Sequence, residues 1–356
     1  LMAWLGLLLL LPRGVAANPK PPEVEEILRR FLARAREAGL ALTPRQLFEH
    51  PTIASLASVA PPLQSQISSL QSSPDDLTAP FPLTPIQRWF FAQNLADSHH
   101  WNQSFLFTLS DRPDPECLHR VLRELTARHP ALRLRFHQEN NLWTPSIAPE
   151  ETAHLLSTYP DLTGLESHCA QLQTTLNHQT GPIIRAALFD AGEDRPGRLC
   201  LAVHHLAIDG VSWRILLEDL ESLLTGQSLP APTASWPQWA RQLQAWPNTP
   251  EAAMRLSHWS AITPAAPAPV AREGQAFTHT VTLTESETSA LLHEAPAAYR
   301  TRINDLLLTA LAIAHRSLPS LSLNLEGHGR EESISGGLPL DRTVGWFTAL
   351  FPVRLD

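Results

Sequence analysis

The segment His204-His205-Leu206-Ala207-Ile208-Asp209-Gly210-Val211-Ser212-Trp213 constrains this chain more than any other. Two adjacent imidazoles close an apolar, strand-like run, Leu199-Cys200-Leu201-Ala202-Val203, and an acid and a glycine then open a new helix. A strand that ends on histidine and turns at once holds a titratable ring on a rigid support. Unperturbed imidazole titrates at about pH 6.5, so such a ring suits proton transfer near neutrality.

The rest of the composition narrows the class. A chain of 356 residues with 43% hydrophobic content has material for two or three domains with real cores. Its 27 Lys and Arg against 35 Asp and Glu leave it mildly acidic, without a basic stripe interleaved with aromatics, which argues against nucleic acid as a partner. Cys117, Cys169 and Cys200 are odd in number, widely separated and outside any CxxC spacing, as in a reduced cytoplasmic protein without a structural zinc. The apolar run Leu1 to Leu11, followed by Pro12, Arg13 and Ala16-Ala17, has the look of a signal-peptide core but lacks a basic leading region and is too short to span a bilayer. Residues 1–21 therefore read as an atypical N-terminus, a fragment edge or a damaged start, ahead of a secretion signal, and not as a membrane anchor.

Helical spacing of Val24, Ile27, Leu28, Phe31 and Leu32, then Thr43-Pro44 as cap and first turn of a second helix, mark a small helical unit over 22–60. Residues 61–80, rich in Ser, Gln and Pro, read as a linker. A larger domain opens at Leu83-Thr84-Pro85. Strands are expected at Ser104 to Leu109, Leu132 to Phe136, Ile183 to Phe189 and Arg198 to Val203, with helices at Glu116 to Arg128, Leu165 to Asn177 and Ser212 to Leu224. This mixture predicts an α/β sandwich over 81–270. The Pro- and Trp-rich stretch from Gly226 to Gly274 reads as wrapping helices and a crossover. Alternation resumes at Phe277 to Leu283, a helix follows at Ile303 to Ala314, and 271–356 reads as a second lobe that stops before it is complete.

These residues resemble the epimerization domains of nonribosomal peptide synthetases, within the condensation-domain superfamily. Pro85-Ile86-Gln87-Arg88-Trp89-Phe90 is similar to the family's opening motif and His204 to Trp213 to its double-His motif. Asp305 to Leu311 matches a helical motif of the second lobe. Glu326-Gly327-His328-Gly329-Arg330-Glu331 and Arg342-Thr343-Val344-Gly345-Trp346-Phe347-Thr348 resemble the segments that separate epimerization from peptide-bond-forming relatives. Ala33-Arg34-Ala35-Arg36 leading into Leu42 to Pro51 resembles the C-terminal half of a peptidyl carrier domain. The carrier family's pantetheine-bearing Ser has no counterpart; Glu25 stands near its position.

The resemblance implies a two-lobed chloramphenicol-acetyltransferase-like sandwich that inverts the α-carbon of an aminoacyl or peptidyl thioester. No cofactor binds directly; a carrier domain presents the substrate on its phosphopantetheine arm, and carrier and other synthetase modules are the expected partners. A thioester carbonyl acidifies the adjacent C–H, so a general base can form an enolate-like intermediate. Inversion then requires one acid/base group on each face, and His205 and Glu326 are the expected pair. The helix beginning near Ser212 and Trp213 would aim free N–H groups at the developing charge.

Bland roles compete for the neighbouring residues. His204 falls on the opposite side of the strand and reads as packing or orienting. Asp209, beside Gly210, reads as one half of a structural ion pair, with Arg133 the expected cation. His328 and Arg330 read as loop structure. Trp101 and Asn102, with His99 and His100, and Trp346 are candidates to line the substrate channel. Adjacent histidines diverge on a strand, which argues against a metal site of His204, His205 and Asp209. Two further readings remain beside epimerization: amide-bond formation on the same fold, and a catalytically inactive fragment exposing apolar surface on its second lobe.

Overall fold

The first described helix follows the apolar residues that interrupt the linker composition after residue 80. The computed structural model describes residues 77–355 apart from 78, 111, 152–153, 193–194, 263–278 and 318–319. The apolar N-terminus, the carrier-like helices and nearly all of the linker lie outside the described residues.

Helix α1 (Pro85–Ala92) starts on a proline, whose missing N–H costs nothing in a first turn, and Gln87 Oε1 accepts the Thr84 N–H at 3.1 Å. Strand β1 (Asn102–Thr108) leads to α2 (Pro115–Arg128), capped by Asp114, whose carboxylate accepts the Cys117 N–H. Strands β2 (Leu134–Glu139) and β3 (Leu142–Ile147) form a hairpin. Its two-residue loop places Asn140 and Asn141 at φ 50° and 62°, a left-handed conformation that asparagine tolerates. Then follow β4 (Leu156–Tyr159), α3 (Leu165–Thr174), β5 (Ile184–Phe189), β6 (Arg198–His204) and α4 (Gly210–Leu224).

These strands make a four-stranded sheet in the order β1-β6-β5-β4. Only β4 and β5 run parallel, joined through α3 as a parallel pair requires; the other neighbours are antiparallel. Strand β6 is central and covered on both faces, which is why its sequence is continuously apolar. Leu199, Leu201 and Val203 join the main core with Leu118 and Leu122 of α2 and Leu216 of α4. Cys200 and Ala202 pack on the other face with Ala187, Phe189, Leu172 and Leu176.

Beyond the sheet, α5 (Trp236–Ala245) and α6 (Pro250–Ile262) are the expected helices of the Trp-rich stretch. Trp236 and Trp239 are buried in the core, whereas Trp259 is 37% exposed. Residues 279–283, expected to continue an alternating strand, belong to no strand. Alternation makes a segment fit for a sheet, but a ladder also needs a neighbour, and none among the described residues pairs with it. A helical run over Glu285–Tyr299 precedes α7 (Ile303–Ala314), the two-stranded antiparallel pair β7 (Leu321–Gly327) and β8 (Ala349–Leu355), and the short α8 (Glu332–Ser335) between them. Among the described residues no helix is long and apolar enough to cross a membrane.

Candidate active site

His204 ends the β6 ladder, and His205–Ala207 turn into a 3-10 segment, so the two rings part. His204 is fully buried. Its Nε2–H donates to the Ser98 carbonyl at 2.9 Å, and its Nδ1 accepts the Leu206 N–H at 3.2 Å, which commits both nitrogens of a neutral ring. Phe90 of the opening helix packs edge-on against it, with ring centroids 5.9 Å apart. His178 lies 5.5 Å away, ring to ring, and its Nε2 meets Ser98 Oγ at 3.0 Å.

Burial pushes His204 down to about 3; burial, then the neighbouring His204 and His99, push His178 down to about 3 as well. Both rings are less basic folded than unfolded. Their contribution to stability is therefore complete above the unfolded value of about 6.5 and is lost as pH falls from there towards 3, at about 1.4 kcal/mol per pH unit for each ring. Calorimetric scans are expected to show Tm falling steeply below pH 6.5, with a shallower fall in His178→Phe. A parallel fall in the variant would remove His178 from the cause.

His205 is held by backbone on two sides. Its N–H donates to the Trp101 carbonyl at 2.8 Å, and its Nδ1 lies 2.6 Å from the Ile208 carbonyl. Nε2 lies 3.1 Å from Gln103 Nε2, and the ring sits 4.5 Å from that of Trp346. Burial lowers its pKa, while the Ile208 carbonyl, Asp209 and Glu326 favour the charged form. Glu326, exposed on β7, is the weakest of these influences and comes from a distant part of the chain.

Asp209 caps α4, which begins at Gly210, earlier than the expected Ser212. Asp209 Oδ1 accepts the Ser212 N–H at 2.7 Å, so that N–H is spent on the cap and is not free for an anion, contrary to the expectation from sequence. A Cβ on the exposed Gly210 would meet open space. The expected Asp209–Arg133 pair does not form. Arg133 instead donates to the Thr126 carbonyl at 3.0 Å, the Ala148 carbonyl at 2.6 Å and the Pro149 carbonyl, tying α2 to the hairpin. The cation beside Asp209 is Arg330, at 3.6 Å, because the carboxylate faces the segment after β7.

That segment is clasped throughout. Asp209 Oδ2 accepts the Phe347 N–H at 2.9 Å. Ser212 Oγ donates to the Gly345 carbonyl at 2.8 Å and accepts from Gly345 N–H at 3.1 Å and Arg330 Nη2 at 2.9 Å, filling its hydrogen-bonding capacity. The Arg330 guanidinium lies 3.8 Å over the Phe347 ring. Arg342 bonds Glu218 at 2.8 Å and also Asp219, both on α4. The result seats Trp346 against His205. Gly329, at φ +68°, lets the turn after β7 pass close beneath: a Cβ there would lie 1.7 Å from the Phe347 carbonyl oxygen. Gly329→Ala is expected to cost at least about 1–3 kcal/mol from the backbone conformation alone, read as a lower Tm; an unchanged Tm would show that the clasp yields freely.

The remaining expected residues are dispersed. His328 is exposed, and its Nδ1 accepts the Arg330 N–H at 3.1 Å. Asn102 pairs in register with His204 and its amide donates to the Gln173 carbonyl at 3.0 Å, so it faces α3 and not His205. Trp101 contributes its carbonyl, and its ring packs on Phe90 at 5.7 Å. His99 lies on His178 at 4.3 Å, and His100 is exposed. Two residues that the sequence did not single out enter the site, Gln103 and His178. Gln103 adjoins the expected strand start at Ser104, and one more residue of strand would have pointed it towards α4; His178 carries no local signal. Among the described residues no group of three or more His, Cys, Asp or Glu is placed to hold a metal ion.

A mixed sheet whose central strand ends in a divergent histidine pair, with a second segment clasped beside it, defines a chloramphenicol-acetyltransferase-like α/β fold of the condensation type. The profile of the family described as Condensation domain matches residues 79–356, and the chain belongs to the condensation-domain family of nonribosomal peptide synthetases. It is similar to the crystal structure of the epimerization domain from the third module of tyrocidine synthetase B, with TM-score 0.66, 33% identity, and coverage of 78% of this chain and 68% of that one. The first condensation domain of the calcium-dependent antibiotic synthetase shares the fold, with TM-score 0.61, 21% identity, and coverage of 78% of this chain and 69% of that one. A linear gramicidin synthase of Brevibacillus parabrevis is 39% identical over 352 residues, which is 92% of this chain and 7% of that protein. Tyrocidine synthase 1 of the same organism is 33% identical over 350 residues, 91% of this chain and 31% of that protein. The chain thus spans a small part of these relatives.

Proposed function

We propose that this domain epimerizes the α-carbon of an aminoacyl or peptidyl thioester presented on the phosphopantetheine arm of a carrier domain. The observation that carries the reading is the placement of His205 at a rigid strand end, with Nδ1 2.6 Å from the Ile208 carbonyl and Trp346 seated 4.5 Å from its ring; Glu326, exposed on β7, is the proposed second group. His205 Nε2 takes the α-proton from one face, leaving an enolate, and Glu326, after taking up a proton from water, returns one to the other face; the reverse direction exchanges the roles. Exposure lets Glu326 reload from water. The likeness to an epimerization domain at 33% identity supports the same assignment. Other synthetase modules are the proposed partners, and the cytoplasm the proposed site of action.

The test incubates the purified chain in deuterated water with a separately supplied carrier bearing an aminoacyl thioester and reads α-carbon deuterium and chirality. Uptake with inversion is expected. Amide formation when donor and acceptor thioesters are both supplied would favour instead the second reading, condensation, which the family match also supports. The inactive-fragment reading has its own observation: Val281 is 77% and Ile313 60% exposed, and α7 buries no residue among those described. Soluble, monodisperse protein without exchange would select it.

A further inference from the structure

We infer that Gln103, pinned by Trp213, is a positioning residue that fixes the proton of His205 on Nδ1 and opposes the imidazolium, so that its amide must leave Nε2 before a proton is taken up there. The inference rests on the reading of His205 as the base. Three hydrogen bonds leave one consistent arrangement of protons. Trp213 Nε1 can only donate, and it lies 2.7 Å from Gln103 Oε1, so the opposite end of the amide is the NH2 group that faces His205. The Ile208 carbonyl can only accept, and at 2.6 Å it requires the hydrogen on His205 Nδ1. Nε2 is then the bare nitrogen, accepting from Gln103 Nε2 at 3.1 Å.

Protonation at Nε2 sets two donors against each other. Rotating the amide to offer its oxygen would turn its NH2 group onto the Trp213 N–H, exchanging one clash for another. Trp213 cannot follow, because it is buried and Phe105 packs edge-on against its indole with ring centroids 4.8 Å apart. The other groups facing His205 act on its charge without this orientation dependence. Asp209 at the α4 cap and Glu326 on β7 favour the imidazolium, Arg330 lies beside Asp209 and offsets it, and the adjacent His204 is a neutral ring. Burial lowers the basicity of His205, and the Trp213–Gln103 relay adds an orientation-dependent opposition to the imidazolium in a site with two carboxylates nearby.

Selective 15N labelling of histidine, with the His205 signal assigned from its loss in His205→Asn, reads both tautomer and titration without turnover. The unsubstituted protein is expected to show the Nδ1–H tautomer. In Gln103→Glu the new carboxylate accepts from Trp213 and from Nε2–H together, and the His205 midpoint is expected to rise by at least one pH unit; Trp213→Phe, which frees the amide to rotate, is expected to raise it by less. An Nε2–H tautomer in the unsubstituted protein, or an unmoved midpoint in Gln103→Glu, overturns the inference, and the first is independent of whether the Gln103 or Trp213 variants fold. The expected tautomer and midpoint shift without α-carbon exchange would overturn the epimerization reading alone.

Discussion

His205→Ala is expected to lower α-carbon exchange by about 10²–10⁴-fold, the range of a lost general acid/base, while the fold persists. The fold is expected to persist because the hydrogen bond from the residue 205 N–H to Trp101 does not involve the ring. Glu326→Gln separates the two half-reactions. With the strand-side base intact, removal and return of the proton on one face can continue, so this variant is expected to incorporate deuterium with retention and to lose inversion. An unchanged inversion rate in either variant, measured by deuterium content and chirality together, would overturn the assignment of the pair.

Asp209→Ala is expected to be the most damaging substitution to stability near the site, about 3–5 kcal/mol, the cost of leaving a buried charge without its partner. One carboxylate caps α4 through Ser212, accepts the Phe347 N–H and neighbours Arg330, whose side chain is 10% exposed. The costs are not additive, since all three groups relax together. Asp209→Asn keeps an oxygen for the cap and loses only the charge, so its Tm is expected to fall less. Activity is expected to drop in both as Trp346 loses its seat beside His205. An Asp209→Ala protein with unaltered thermal stability and abolished exchange would instead assign the carboxylate to the reaction.

Much of the framework was legible because it is local. The proline after Thr84, the Asp-Gly at the head of α4 and the unbroken apolar run of β6 each act over a few residues, and helices and strands fell close to their expected bounds. Residues 279–283 show the limit: alternation there was real, but a strand needs a neighbour. Asn102 and Gln103 show it more finely. Side chains alternate along a strand, so once both residues are part of β1 only one of them, Gln103, can face His205, and Asn102 is turned to α3.

Arg133 is the arginine expected from sequence beside Asp209, and Arg330 reads there as loop structure. Arg133 turned out to be spent on the carbonyls of Thr126, Ala148 and Pro149, and only packing of the segment after β7 against α4 brings Arg330 to the carboxylate. The amino-acid order by itself determined that a histidine would stand at the end of a buried strand ahead of a capped helix, because hydrophobic period and capping are properties of neighbours in the chain. Tertiary structure alone decided which cation faces Asp209 and which amide faces His205, because electrostatics and hydrogen bonds act across a few ångströms of space, regardless of separation along the chain.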